Sequence, residues 1–413
     1  MKVLIADKFQ SSGLARLKTA GCDVVTEPGL VGDALAAAVA RSGCNILIVR
    51  GTKVGAPVFR DAPALALVIR AGAGYDSIDV AAASQRSVFV ANCPGKNAAA
   101  VAELTIGLIL ALDRRIVDAT ADLRKGVWNK KGYSEARGLK GRTLGVVGKG
   151  QIGRLVIDRA RALEMDVVAW SRSLSFEEAA ALGVRRVASI AECAAACDVL
   201  TVHVASTPDT RRCISASVLE AMKPGAYFIN TSRGDVVDYD ALLKAIREKN
   251  LRVGLDVFEN EPAGGTGEIA DRILLSGGVV YATPHIGAST DQAQDAIAEE
   301  TVRIVEHYIS TGEVLNCVNL CGRTPAGFML LVRHLNKPGV LAHVLNVISH
   351  ANINVEEMRN VICEGAVSAC AQIALDGALS DAALAQIRQG NANILGVSQQ
   401  PIAHAGAVSR SDG

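Results

Sequence analysis

The sequence predicts an α/β protein of two doubly wound, parallel-sheet domains followed by a small α+β module. Three observations carry this. Short apolar β-runs alternate with Ala-rich or amphipathic helical patterns along most of the chain, the signature of parallel sheets covered by helices. The stretch Thr143–Gly153 sets a strand, a glycine-rich turn and a helix start in succession, as in a nucleotide-binding βαβ unit. Beyond the turn-rich segment Cys317–Gly327 the pattern changes to βαββα, with a further strand after it.

In the first series, Val3–Ala6, Ile46–Val49, Leu67–Arg70 and Val88–Ala91 read as short parallel strands. The apolar helix Ala98–Leu112 follows Asn92-Cys93-Pro94-Gly95. A second series opens at Thr143–Gly148 and continues through Asp166–Trp170, Val199–Val204, Ala226–Asn230, Val253–Val257 and Val279–Ala282, a sheet of about six strands. A helix near Asp291–Ser310 returns the chain to the first domain. The expected organisation is a substrate domain of 1–96 and 292–318, a nucleotide domain of 97–291, a linker of 319–326, a module of 327–402 and a frayed tail of 403–413. In the module, Phe328–Arg333 is a strand, Asn336–Gly339 a turn, Val340–Ser349 a helix, Asn352–Val355 the start of a strand, Ala369–Leu375 a strand and Ser380–Gln389 a helix.

Composition narrows the function. Half the residues are hydrophobic and 4% aromatic, with 43 basic and 42 acidic residues. No basic block marks a nucleic-acid or anionic-membrane partner. The N-terminus carries no signal-peptide pattern, and Ala98–Leu112 contains Glu103 and is too short to span a bilayer, so a soluble cytoplasmic protein is expected. The ten cysteines include no C-x-x-C pair. Cys193/Cys197 and Cys317/Cys321 are spaced by four without a nearby His, so reduced thiols and no metal site are expected.

Gly148, Gly150 and Gly153 permit a tight turn and close approach of backbone to a pyrophosphate, and Gln151 and Ile152 open the helix whose free N–H groups face the anion. About twenty residues on, NAD-binding folds place an acid on the adenosine ribose. Here the chain supplies Ser171, Arg172 and Ser173. A carboxylate would repel a 2′-phosphate, whereas Ser and Arg can bond it, so the cofactor is read as NAD(P), with NADP favoured over NAD.

Arg233, Glu261 and His285 each follow an apolar strand, which brings all three to the sheet's carboxyl edge, where ligands bind. The set suits hydride transfer at a 2-hydroxy acid. A His exchanges the hydroxyl proton, a neighbouring carboxylate orients it, and a guanidinium holds the substrate carboxylate.

The runs RAGAG (70–74), NCPGKNAAAVAEL (92–104), GKGQIG (148–153), NTSRGDVVD (230–238), LDVFENEP (255–262) and TPHIGAST (283–290) together resemble the D-isomer-specific 2-hydroxyacid dehydrogenases. The resemblance covers nearly all of residues 1–400 and implies two Rossmann-like domains. It is greatest to the branch that oxidises 3-phosphoglycerate at the start of serine synthesis. It implies Arg233 as substrate anchor, His285 as acid/base and Glu261 as its partner. It sets Asp256 near the nicotinamide carboxamide, and Val204, Thr231, Ser232, Gly287 and Ala288 along the cofactor. Gly72, Ala73 and Gly74 lie on the substrate side. The loop Val49–Val54 resembles the family's Arg-Ser-x-Thr-Lys substrate loop, one residue shorter and without its Ser; Arg50 and Lys53 remain, and Lys96 adds charge. Lys130 and Lys131 read as a solvated loop.

Residues 327–402 resemble an ACT domain, a ferredoxin-like small-molecule sensor, through HLNKPGVL (334–341) and ANINV (351–355). In relatives that bind L-serine, positions like His334, Asn336 and Asn354 contact it. Edge-to-edge pairing of such modules implies a homodimer or homotetramer. The alternatives are an NADPH-dependent hydroxypyruvate or glyoxylate reductase and, in another class, a dinucleotide-binding corepressor.

Overall fold

A computed structural model describes residues 1–262, 267–322 and 324–402. They form two compact units, Met1–Asn319 and one that begins at Leu320. The expected tail from Ala403 lies outside the described residues.

The first unit holds two sheets, both wholly parallel. The first has β1 (Lys2–Ile5), β2 (Asp23–Thr26), β3 (Ile46–Val49), β4 (Leu67–Arg70) and β5 (Phe89–Asn92) in the order β2-β1-β3-β4-β5. Its helices are α1 (Ser11–Thr19), α2 (Gly32–Ser42), α3 (Ala56–Arg60) and α4 (Val80–Gln85). All four residues of β3 are buried, as in a strand covered on both faces.

The chain then crosses to the second sheet, entering it through α5 (Ala98–Arg114), which packs on it, and α6 (Ile116–Arg124). That sheet contains β6 (Thr143–Val147), β7 (Asp166–Trp170), β8 (Arg185–Arg186), β9 (Val199–Val202), β10 (Tyr227–Asn230), β11 (Arg252–Leu255) and β12 (Val280–Ala282). Their order is β12-β11-β10-β9-β6-β7-β8. Between them run α7 (Gln151–Ala162), α8 (Phe176–Leu182), α9 (Ile190–Ala196), α10 (Ala216–Ala221) and α11 (Tyr239–Lys249). Ala102, Leu108, Ile109 and Leu112 of α5 pack on one face of this sheet with Leu144 and Ile229. α12 (Asp291–Thr311) carries the chain back, burying Ile297, Val302, Ile304 and Val305 against Val3, Ile5 and Ile69 of the first sheet.

Two strands were not expected. β2 is a largely exposed edge strand without an apolar run, and β8 is two exposed arginines, so the second sheet has seven strands rather than six. Cys193 and Cys197 are buried against Gly145. Burial pushes the Cys197 thiol up to about 12, so both are core groups.

The second unit is β13 (Phe328–Leu335), α13 (Val340–His350), β14 (Val355–Ile362), β15 (Ser368–Leu375), α14 (Asp381–Gln389) and β16 (Ile394–Pro401). The antiparallel order β14-β15-β13-β16 is the ferredoxin-like arrangement of a βαββαβ chain. Leu330, Val332, Val344, Ile348, Ile373 and Ile387 fill its core. Among the described residues no helix is long and apolar enough to cross a membrane.

Candidate active site

In the second sheet the chain winds from β6 to one side and from β9 to the other, so the crevice for a ligand opens between the carboxyl ends of β6 and β9. Gly148 follows β6 with φ +103°, its N–H donating to the Trp170 carbonyl at 2.8 Å. A Cβ on Gly148 would meet the His203 carbonyl, and one on Gly153 would meet the Gly148 carbonyl, while Gly150 faces open space. The loop is therefore as close to the sheet as glycine allows. The first-turn N–H groups of α7 at Gln151, Ile152 and Gly153 have no partner one turn back. Such a cradle of free N–H groups suits a dinucleotide's phosphates. Val204 lies half-buried beside Gly148.

No carboxylate follows β7. Ser171 accepts the Leu174 N–H at 3.1 Å through its carbonyl. Arg172 is 79% exposed, 3.4 Å from the equally exposed Asp209. Lys149 and Arg154 both pair with Glu178 on α8, a cluster the sequence reading missed.

The three expected catalytic residues follow β10, β11 and β12. Asn230 locks the first loop: its Oδ1 accepts from the Ser232 N–H at 3.0 Å and hydroxyl at 2.8 Å, and its Nδ2 donates to the Arg233 carbonyl at 2.7 Å. Thr231 bonds Thr105 of α5 at 2.9 Å. Arg233 directs Nε and Nη2 to both oxygens of Asp76, at 3.3 and 3.0 Å, and lies so close to Gly74 that a Cβ there would overlap it. Burial pushes the Asp76 carboxyl up, but Arg233 outweighs it and holds it below the usual carboxylate range.

His285 adopts φ +52°, and its N–H bonds the Asp256 carbonyl at 2.8 Å. Its Nδ1 meets Glu261 Oε2 at 2.7 Å, which leaves Nε2 for proton exchange. Glu261 Oε1 accepts the Phe258 N–H at 3.0 Å. Burial raises the Glu261 carboxyl; His285 overrides it, and the net shift is downward. Asp256, 1% exposed, accepts from the Thr283 hydroxyl at 2.5 Å and from the Ile286 and Gly287 N–H groups, both at 2.8 Å. Both oxygens thus organise the turn that carries His285 and leads to Ala288, and burial pushes the carboxyl up.

Facing these from the first sheet are Arg50, Arg70 and the Gly72–Asp76 run. Asn92 Nδ2 donates to the Ala73 carbonyl at 2.6 Å. Arg70, missed in the sequence, is folded over Gly72 with its Nε buried and unpartnered. Burial and then Arg233 lower its guanidinium to about 10, with Asp76 opposing and Arg50 adding to the effect. Arg50 Nη1 donates to Gln294 at 2.9 Å, and Lys53 is exposed. Lys96 is turned to Glu300 at 3.3 Å, so in this arrangement its charge is engaged by the protein itself.

In the second unit, His334 is 1% exposed, with Nδ1 2.8 Å from the Leu335 carbonyl and Nε2 3.1 Å from Asn360. Asn336 Nδ2 donates to the Ala366 carbonyl at 3.2 Å, and Asn354 Nδ2 to Glu356 at 2.7 Å. His334 is paired with Ala369 and Val355 with Leu375. His334 and Asn336 therefore lie at one end of β15 and Asn354 at the other, roughly 20 Å away at the rise of a strand. One module does not bring the three together.

Comparison with known proteins agrees with this geometry. Residues 106–287 match the family model described as D-isomer specific 2-hydroxyacid dehydrogenase, NAD binding domain. The chain is 36% identical over 326 residues to D-3-phosphoglycerate dehydrogenase of Methanocaldococcus jannaschii, covering 78% of this chain and 60% of that one. It spans about three-fifths of the length of the curated relatives it matches. A solved Thermus thermophilus protein, 33% identical, superposes with a TM-score of 0.68 over 77% of this chain and 100% of its own. An NADPH-dependent glyoxylate/hydroxypyruvate reductase from Sinorhizobium meliloti, solved with NADP and malonate, is 31% identical with a TM-score of 0.65, over 77% of this chain and 96% of that one. The glycine cradle, the His285–Glu261 pair and these likenesses lead to one conclusion: the chain belongs to the D-isomer specific 2-hydroxyacid dehydrogenase family.

Proposed function

We propose that the protein is a nicotinamide-dependent oxidoreductase that interconverts 3-phosphoglycerate and 3-phosphohydroxypyruvate, the first step of serine synthesis. The observation that carries this reading is the charge of the cleft. Beside the His285–Glu261 pair stands Arg233, bonded to Asp76, and Arg50 and Arg70 face them from the first sheet. A substrate with a carboxylate and a phosphate matches that excess of cations. Arg233 takes the carboxylate and polarises the carbonyl, while Arg50 and Arg70 face the phosphate. His285 Nε2 gives or receives the hydroxyl proton as the C2–H bond forms or breaks, and Glu261 stabilises the charged ring. The bound dinucleotide supplies the hydride donor or acceptor, held by the Gly148–Gly153 cradle. Initial rates with 3-phosphohydroxypyruvate against hydroxypyruvate and glyoxylate test the reading: a preference for the phosphorylated acid supports it, and its absence rejects it.

The second reading is an NADPH-dependent hydroxypyruvate or glyoxylate reductase. Ser171 and the exposed Arg172 favour NADP, and so does likeness to the Sinorhizobium enzyme. The same assay run with NADPH and NADH decides the cofactor. Failure to turn over any 2-oxo acid would favour a dinucleotide-binding corepressor.

The C-terminal unit is read as an ACT domain that senses L-serine. Because His334 and Asn336 lie at the opposite end of the sheet from Asn354, the reading requires two copies paired across the unpaired edge of β14, within a homodimer or homotetramer. Inhibition by added serine tests it.

A further inference from the structure

The substrate loop that follows β3 is built around a carboxylate of the chain itself. Three successive amides, those of Arg50, Gly51 and Thr52, point at one oxygen, Asp7 Oδ2, at 2.5, 3.2 and 3.2 Å. Consecutive N–H groups converging in this way make an anion-binding nest, and here Asp7 fills it. Asp7 follows β1, the neighbour of β3 in the sheet, with Ala6 N–H bonded to the Ile48 carbonyl at 3.0 Å. The far end of the loop is pinned where Val54 bridges Ile78 and donates to the Ser77 carbonyl at 2.9 Å. Between these anchors Arg50 extends to Gln294 at 2.9 Å and lies close enough to Arg70 to perturb it.

We infer that Asp7 is the positioning residue of the substrate wall. By occupying the amide nest it leaves the Arg50 side chain, not the loop backbone, to meet the far anionic group of the substrate, and it fixes where that guanidinium stands. The assignment of that group as a phosphate rests on the function proposed above. A displacement of about 1 Å in such a group is enough to change rates or affinities a hundredfold, so the position of this loop is set from a residue that does not touch substrate.

The test is steady-state kinetics of Asp7→Ala and Asp7→Asn, with dinucleotide affinity measured by fluorescence titration. Asp7→Ala is expected to raise KM for 3-phosphohydroxypyruvate about tenfold or more, to change kcat less than about threefold, and to leave KM for hydroxypyruvate and the dinucleotide Kd within about twofold. Asp7→Asn, whose amide oxygen still accepts the three N–H bonds, is expected to fall between Ala and wild type. An unchanged KM in both variants, or equal rises for both acids, overturns the inference. If Asp7→Ala does not fold, Asp7→Asn decides alone: a rise in KM of about twofold or more for the phosphorylated acid only, at normal dinucleotide affinity, supports the role, and no rise overturns it. A wild-type enzyme that prefers another 2-oxo acid with a second anionic group rejects the proposed substrate but not Asp7, and the same KM criterion is then applied to that acid with dinucleotide Kd as the control. Preference for an acid that has no second anionic group overturns both.

Discussion

His285 is held from two sides, by a left-handed backbone bonded to Asp256 and by a ring nitrogen bonded to Glu261. Neither bond uses Nε2. Replacement of His285 by Ala removes the proposed proton carrier while leaving the cradle at Gly148–Gly153 untouched. The expected loss in kcat is about 10²–10⁴-fold, at unchanged dinucleotide Kd by fluorescence titration; near-normal kcat would remove His285 from the chemistry. Ser171→Asp adds a carboxylate at the end of β7, where it would face a 2′-phosphate. NADPH affinity is expected to fall about tenfold or more and NADH affinity to hold or rise, and equal losses for both would mean that the 2′-position lies elsewhere. Arg233, Glu261 and His285 were legible in the sequence because each ends a run of apolar strand in a distinctive local motif. Asp76 was not: it is defined by Arg233, 157 residues away. Asp7 was hidden for the same reason, since a lone Asp after a strand shows nothing of three amides more than forty residues on.

Strands were legible in proportion to their burial. β3, β9 and β10 are buried at every position, so their sequences are apolar apart from Thr201 and Asn230. The edge strands β2 and β8 face water, and their sequences, DVVT and RR, carry no such run; backbone pairing to a neighbour makes them strands. The glycine loop is an element whose geometry was foreseeable from spacing but whose tightness was not. A methyl group on Gly153 would overlap the Gly148 carbonyl, a backbone atom that cannot rotate away, so the loop or the start of α7 must shift. Gly153→Ala is therefore expected to weaken dinucleotide binding at least about tenfold by displacing the first-turn N–H groups. The far-ultraviolet spectrum should stay that of a folded α/β protein. Retention of full affinity would show that the loop yields without moving the cradle.

At the scale of the first unit, the chain passes between the two sheets twice, before α5 and before α12. Glu300 of α12 joins the two passages. It is 5% exposed and meets Lys96 of the outgoing segment at 3.3 Å, Arg303 at 2.5 Å and Asn316 at 2.7 Å. The Arg303 hydrogen bond, helped by Asn316 and Lys96 and opposed by burial, holds its carboxyl at about 2 against an ordinary 4.5. Between those two values the unfolded chain takes up a proton that the folded chain refuses. The stability contributed by this carboxylate is therefore complete above about pH 4.5 and is lost as pH falls toward 2. Glu300→Gln keeps the shape and loses the charge. The cost at pH 7 is expected to be about 1–2 kcal/mol, because Lys96 and Arg303 are 40% and 54% exposed and regain water when released. Urea unfolding of wild type and variant should then converge as pH is lowered from 5 toward 2, since most of the pH-dependent contribution of the wild-type carboxylate is lost by then. A separation that stays constant across that range would mean that Glu300 holds the two passages by its fit and hydrogen bonds and that its charge contributes nothing.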